Sequence, residues 1–321
     1  MNRNHHRILA ILAFICLAPL SASCQSKVQN AGEVPPFDAA KRLEGTTLSF
    51  FVIGDWGSGT QPQRDVAKSM IKKYAEDGAD AVLTCGDNFY PDGVSSVTDA
   101  LWDIRFENTY PESEFPIPFY PTLGNHDRRG DPEAQVQYTQ TVLDNGKPTR
   151  WTMNGLYWTH VFSSLDGDVT VRVTGLDTQP LISGTKEEKD NQITWLENVL
   201  SSADEDWNIV IGHHPVYSNG IHGNTLSMIM QVKPLFEKHG VEVYFAGHDH
   251  DLQLLKPKNN VHYVVSGGGG QTRSTHWADN TVFAATNYGF VWVQLNEAEM
   301  LVQFLGRDGE VLYATTIPNR Q

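Results

Sequence analysis

A junction that occurs five times constrains the fold of this sequence most: a short apolar run ends in a glycine, and a side chain able to bind a metal follows at once. Those five side chains are Asp55, Asp87, Asn125, His213 and His248. Each apolar run is typical of a buried strand, and glycine permits a sharp exit from a strand and the close approach of other groups. Because open α/β sheets keep their chemistry at the carboxyl ends of strands, we expect the five side chains to lie at one edge.

The order of the predicted elements indicates an α/β fold in a single domain. Residues 48–87 predict a β-α-β unit with parallel strands, whereas the second half of the chain is rich in strands and ends in a hairpin. A helix predicted over 225–238 contains Pro234, which should kink it or split it in two. No linker divides residues 46–321, so we predict one domain of two packed sheets with helices on the outer faces.

Residues 1–23 have the layout of a secretory signal peptide. Arg3 and Arg7 precede an apolar run over 8–20, which is too short to span a bilayer comfortably. We therefore expect an exported protein, located in the periplasm, at the cell surface or in the medium. Residues 24–45 then form a polar leader.

The three cysteines are consistent with export without disulfide bonds. Cys16 belongs to the signal peptide, and Cys85 ends a predicted buried strand. Cys24 directly follows small residues and resembles the modified cysteine of a bacterial lipoprotein, which would anchor the chain through lipid. Ordinary cleavage nearby, without lipid, is the alternative. A domain of this size buries enough core to fold without disulfides.

The net charge of -14 excludes some classes of partner. Non-specific binding to nucleic acid needs a basic face, and so does electrostatic docking on anionic lipid. An acidic protein that binds phosphate must supply positive charge at its site, and metal ions would do so. We expect small phosphorylated substrates, no nucleic-acid groove, and a monomer.

One set of candidate ligands suits a hard, trivalent metal. Asp55, Tyr90 and His250 would offer two anionic oxygens and one imidazole. A free tyrosine has a pKa of about 10, so its phenol loses the proton at neutral pH only beside a strong cation. This set therefore favours Fe(III).

The other set suits a divalent metal. Asn125, His213 and His248 offer only neutral donors, which favour Fe(II), Zn(II) or Mn(II), and Asp87 would bridge the two ions. Taken singly, a glycine followed by an acid after a strand is more often a turn than a metal-binding site. Five junctions of one kind in a single chain are hard to explain as turns.

The junctions belong to five sequence blocks that resemble the motifs of the purple acid phosphatases, most closely the small tartrate-resistant type. The blocks are Gly54-Asp55-Trp56-Gly57, Gly86-Asp87-Asn88-Phe89-Tyr90, Gly124-Asn125-His126-Asp127, Gly212-His213-His214-Pro215 and Gly247-His248-Asp249-His250. The resemblance extends over 48–318. It implies a four-layer α-β-β-α sandwich, the calcineurin-like metallophosphoesterase fold, and the two ligand sets described above.

The resemblance also implies two catalytic histidines outside the metal ligands. His126 and His222 match residues that contact the phosphate and the leaving group. For His222, a solvated loop histidine is the alternative. Asp127 is expected to orient His126 by hydrogen bonding, or else to cap the turn that follows.

The sequence departs from the family pattern at three points. His214 stands where relatives usually carry an aromatic residue and competes with His213 for the ligand role, although the family spacing favours His213. The disulfide of the animal enzymes has no cysteines here. A charged loop is expected over 183–190, near a regulatory loop of those enzymes, but it is shorter.

These features predict a phosphatase that hydrolyses phosphate monoesters with a Fe(III)–M(II) pair and a metal-bound hydroxide, at neutral or acidic pH. His222 or His126 would protonate the departing alkoxide. Two alternatives stay open: an exported phosphodiesterase or nucleotidase with the same dimetal core, and a metal-bound binding protein without catalysis.

Overall fold

The computed structural model describes residues 34–146 and 149–320. The predicted signal peptide and Cys24 lie outside the described residues. The strands are β1 (Leu48–Ile53), β2 (Ala81–Thr84), β3 (Phe119–Pro121), β4 (Trp158–Ser163), β5 (Thr170–Gly175), β6 (Trp207–Ile211), β7 (Val243–Ala246), β8 (Leu252–Lys258), β9 (Val261–Ser266), β10 (Thr281–Ala285), β11 (Gly289–Leu295), β12 (Glu299–Gly306) and β13 (Val311–Pro318). The α-helices are α1 (Gln61–Asp77), α2 (Pro132–Asp144), α3 (Thr178–Ser183), α4 (Lys186–Ser201), α5 (Leu226–Gln231) and α6 (Lys233–Lys238). A π-helical turn covers Trp102–Glu107, and a 3₁₀ turn covers Asp127–Arg129.

The strands form two mixed sheets. The first has the order β13-β12-β11-β1-β2-β3, and the second has the order β10-β8-β9-β7-β6-β5-β4. In the first sheet β1, β2 and β3 are parallel neighbours; in the second, β5, β6 and β7 are. All five strands that precede the candidate ligands therefore belong to these two parallel groups.

Successive side chains along each strand point to opposite faces of the sheet, and this alternation produces the layers. Phe50 and Val52 of β1 face the core between the sheets, whereas Phe51 and Ile53 pack against α1 on the outer side. On the far side of the second sheet, α4 and α6 cover a separate apolar cluster. The predicted α/β fold, a four-layer α-β-β-α sandwich, is confirmed.

Two predictions about helices have different outcomes. The helix containing Pro234 is split into α5 and α6, as predicted. The charged loop predicted over 183–190 is wrong, because most of it is the first turn of α4. Thr185 and Glu188 form a capping box there, in which the side chain of each accepts a hydrogen bond from the backbone of the other.

The described part of the leader packs on the domain. Leu43 is buried, and Arg42 pairs with Asp77 at the end of α1. None of the helices in 34–146 and 149–320 combines the length and apolarity needed to cross a membrane.

Candidate dimetal site

Three of the candidate ligands have a strained backbone. Asp55 and Asp87 follow the neighbouring strands β1 and β2 with φ of 57° and 53°, and His248 follows β7 with φ of 69°. Residues with a side chain adopt such positive φ values at an energetic cost, and the strain is concentrated at functional sites. The sharp turns bring the ligands from both sheets to one edge.

Two glycines of the motif blocks make room for the carboxylates. A Cβ atom at Gly124 would lie 2.1 Å from Asp87 Oδ1, and one at Gly247 would lie 2.5 Å from Asp55 Oδ2. Any side chain at either position would therefore displace a candidate metal ligand. These glycines are needed for close approach and not only for the turn.

The first donor set converges around the phenol of Tyr90. Its Oη lies 2.8 Å from Asp87 Oδ2, 3.1 Å from Asp55 Oδ1 and 3.3 Å from His250 Nε2. Burial and the charges of the two carboxylates raise the pKa of Tyr90. The phenol therefore keeps its proton unless a cation takes the proton's place, which is the condition expected of a tyrosinate ligand.

The second donor set converges on Nε2 of His213. This atom lies 2.9 Å from Asn125 Oδ1, 3.2 Å from His248 Nδ1 and 3.6 Å from Asp87 Oδ1. On the other side of the ring, Nδ1 lies 2.9 Å from the Cys85 carbonyl oxygen and can donate to it, which leaves Nε2 free to bind a metal.

The charges at the second set also favour a cation. Burial lowers the pKa of His213, but the carboxylates of Asp87 and Asp55 outweigh burial and raise it. A site that stabilises the positive imidazolium would stabilise a metal ion for the same reason. Asp87 directs one oxygen to each set, so the donors present fit two ions with a carboxylate between them.

His214 is held away from the bridging carboxylate. Its Nδ1 lies 2.7 Å from Thr178 Oγ1, and its ring packs 4.4 Å from the ring of His248. Its ligand-capable atoms do lie within 4.8 Å of those of His213 and His248. However, only His213 approaches both Asn125 and Asp87, in agreement with the choice made from the spacing.

His126 and His222 lie on either side of the candidate ligands. His126 Nε2 is 4.0 Å from Asp87 Oδ2, and its ring packs 4.4 Å from that of Tyr90. The ring of His222 packs 4.2 Å from that of His248. Both histidines are thus close enough to contact a phosphate group held between the two donor sets.

Asp127 does not orient His126, so that prediction is wrong. Its buried carboxylate instead accepts hydrogen bonds from the backbone N–H groups of Asn88, Phe89 and Gly124. Burial and the charge of Asp87 raise its pKa to about 7, against these hydrogen bonds. Asp127 therefore fixes two ligand loops to each other. The ring of His126 contacts the carbonyl oxygen of Pro91.

Sequence reasoning missed two partners of His222. Asp249 Oδ1 lies 3.0 Å from His222 Nδ1, and Arg273 Nη1 lies 3.1 Å from His222 Nε2. Asp249 stands between two predicted ligands in the sequence, which was the available signal. Arg273 lies in a loop without a motif, and nothing in its sequence context indicated a role.

An open cleft of about 750 Å³ leads to the site. Its lining includes Asn125, His214, His222 and His248, and two arginines also contribute to it. One of them, Arg128, forms an ion pair with the buried Asp177. Two of the candidate ligands, Asn125 and His248, thus line a cleft large enough for a small molecule.

Comparisons with known proteins agree with this geometry. Residues 48–252 match the calcineurin-like phosphoesterase family. Tartrate-resistant acid phosphatase type 5 of Oryctolagus cuniculus is 32% identical over 309 residues, covering 85% of this chain and 92% of the relative. Purple acid phosphatase 3 of Arabidopsis thaliana is 32% identical over 83% of this chain and 76% of its own length.

A solved structure supports the fold alone. GAP50, the anchor in the inner membrane complex of Plasmodium, superimposes with a TM-score of 0.78 at 24% identity, over 86% of this chain and 90% of that one. The family match and the two sequence relatives carry the assignment further. This chain belongs to the calcineurin-like phosphoesterase family and, within it, to the purple acid phosphatases.

Proposed function

We propose that this protein is an acid phosphatase that hydrolyses phosphate monoesters with a Fe(III)–M(II) pair. The observation that carries the proposal is the position of Asp87, which directs one oxygen to Tyr90 and the other to His213. A bridging carboxylate between an anionic and a nitrogen-rich donor set suits two cations of different charge. The acid phosphatases among its relatives support the same reaction.

Seven residues would hold the two ions. Asp55, Tyr90 and His250 would bind Fe(III), and Asn125, His213 and His248 would bind Fe(II), Zn(II) or Mn(II), with Asp87 between them. When bound, such a pair neutralises the phosphate oxygens and lowers the pKa of a coordinated water so that it can attack phosphorus.

The remaining chemistry belongs to the side chains around the ions. His222 would donate a proton to the leaving-group oxygen, because its ring borders the cleft and Asp249 holds its Nδ1. His126 would hydrogen-bond a phosphate oxygen from the side of Tyr90.

The colour of the protein tests the metal assignment. Protein purified without chelator should absorb visible light through charge transfer from Tyr90 to Fe(III), and Tyr90→Phe should lose this band. Tyr110→Phe is the matched control, since Tyr110 is also buried but lies in the apolar cluster beneath α1. A colourless protein with stoichiometric iron would contradict the assignment.

Comparing the turnover of an aryl phosphate with that of a bis-aryl phosphate distinguishes the monoesterase from the diesterase alternative.

We also propose that the protein is exported and monomeric. The arginines and apolar run of residues 1–23 support export, and Cys24 supports a lipid anchor over simple cleavage nearby. The acidic net charge supports small phosphorylated substrates over nucleic acid.

A further inference from the structure

The cleft has an apolar wall that metal binding does not explain. Among the described residues, eight large apolar side chains are strongly exposed, and three of them lie within ten positions of the chain: Ile221, Leu226 and Met230, at 64%, 67% and 69% exposure. Single exposed apolar residues need no explanation. Leu226, however, lines the cleft, and a group of exposed apolar residues that reaches a functional cleft indicates a binding surface.

The wall is formed by α3 and α5. Leu226 and Met230 are one turn apart on α5 and therefore share a face of that helix. Ile182 of α3 lines the cleft together with Leu226. The two helices are joined where Gln231 Nε2 donates to the Leu181 carbonyl oxygen at 3.0 Å.

Packing of the core does not need this face. The buried side chain of α5 is Met228, and Val232, which follows the helix, is also buried. These two residues attach the segment to the apolar cluster outside the second sheet. Leu226 and Met230 remain exposed to solvent, so covering them with apolar groups would be favourable.

The wall borders the same cleft as the histidine proposed to protonate the leaving group. His222, the residue placed to protonate the leaving group, precedes Leu226 by four positions and lines the same cleft. A phosphate group held by the metal ligands fills only a small part of about 750 Å³. The residues that line the cleft include the apolar Ile182 and Leu226 and the basic Arg128 and Arg129.

We propose that Ile182 and Leu226, which line the cleft, together with Met230, one turn beyond Leu226 on α5, form a leaving-group subsite that selects phosphate monoesters of apolar alcohols. The inference rests on the proposed phosphatase function and adds the class of substrate. The phosphate end would bind at the metal ligands, and the hydrocarbon end would cover the exposed face of α5.

A series of n-alkyl phosphates from ethyl to octyl tests the subsite. With the full-length holoenzyme, kcat/KM should rise with chain length by up to about fourfold per methylene, until the wall is covered. In Leu226→Ser/Met230→Ser the ratio of kcat/KM for octyl over ethyl phosphate should fall at least tenfold, the equivalent of about two methylenes on the same scale. The inhibition constants of octylphosphonate and ethylphosphonate give the same comparison for binding alone, without turnover.

Leu165→Ser is the matched control, because Leu165 is fully exposed in the turn between β4 and β5, outside the cleft. It should keep the wild-type ratio. A wild-type kcat/KM that does not change with chain length would overturn the inference, and so would an octyl-to-ethyl ratio of kcat/KM that is unchanged in the double variant. Neither result would contradict the proposed phosphatase function. Absence of turnover for every ester would overturn the proposed function itself. If kcat/KM does not change with chain length and the molecular mass in solution rises with protein concentration, the exposed face binds a second copy of the chain and not a leaving group.

Discussion

Asp249 shows how a residue beside the metal ligands acts through a histidine. Its carboxylate is buried, and Oδ1 accepts hydrogen bonds from the backbone N–H of His222 at 2.9 Å and from the ring of His222 at 3.0 Å. Ser218 Oγ donates to the other oxygen. With Nδ1 held in this way, Nε2 of His222, which lies 3.1 Å from Arg273 Nη1, is the nitrogen left for proton transfer. Asp249 is therefore a positioning residue.

Asp249→Asn should slow hydrolysis in proportion to the leaving group's need for a proton. We expect kcat to fall by about 10²-fold for an alkyl phosphate, a typical share for a general acid. The fall should be much smaller for p-nitrophenyl phosphate, whose leaving group is stable as an anion. Parallel kcat measurements on both substrates, with metal content determined in each preparation, check this. Equal losses on both substrates would assign Asp249 to the fold or the metals instead.

The two aspartates near the catalytic histidines show what sequence can and cannot predict at this scale. Asp127 was predicted to hold His126, but its carboxylate accepts hydrogen bonds from the backbone of a different loop, at Asn88 and Phe89. Asp249 holds His222 across 27 positions of the chain. Adjacency in sequence does not determine which side chains meet when the ligands lie in sharp turns with positive φ.

At the scale of elements, the predictable parts were the strands with apolar runs and a glycine at the end. β1, β2, β6 and β7 are recognisable because burial on both faces requires continuous apolar sequence. The start of α4 was not recognisable in the same way. Its first turn is charged and exposed, so hydrophobic periodicity is absent there, and only the pair of Thr185 and Glu188 marks the helix.

Thr185→Ala tests the capping box that corrects the loop prediction. The change removes the hydrogen bond from Glu188 N–H to Thr185 Oγ1 and should lower the free energy of unfolding by about 1 kcal/mol. For a domain of this size that is a fall in Tm of roughly 2–4 °C. Thr60→Ala is the matched control, because Thr60 is the N-cap of α1 without a capping hydrogen bond from its side chain. Equal shifts in the two variants would contradict the capping role.

At the scale of the whole molecule, the candidate ligands connect the two sheets. Asp55, Asp87 and Asn125 follow strands of the first sheet, whereas His213 and His248 follow strands of the second. The approach of Asp87 to His213 therefore crosses between the sheets. The meeting of these side chains at one edge was expected from the five junctions, but which ligands come from which sheet depends on the order of strands in each sheet.

Removal of the metals should therefore destabilise the domain as a unit. Without cations, the buried negative charges of Asp55 and Asp87 are no longer neutralised by metal ions. The energetic cost of the strained turns that carry the two residues is then no longer offset by metal binding. A ligand at 100 times its Kd stabilises the folded state by about 2.7 kcal/mol. That corresponds to a fall in Tm of roughly 5–10 °C on chelation.

Calorimetry of holoprotein, chelated protein and protein reloaded with Fe(III) and Zn(II) measures this contribution. The Tm should fall in the second sample and recover in the third, with a single transition throughout, because the two sheets share one apolar core. In Asp87→Asn the gain in Tm on reloading should shrink, since the variant lacks the charge that both ions share. A Tm unchanged by complete metal loss would show that the packed sheets hold these ligands in place unaided.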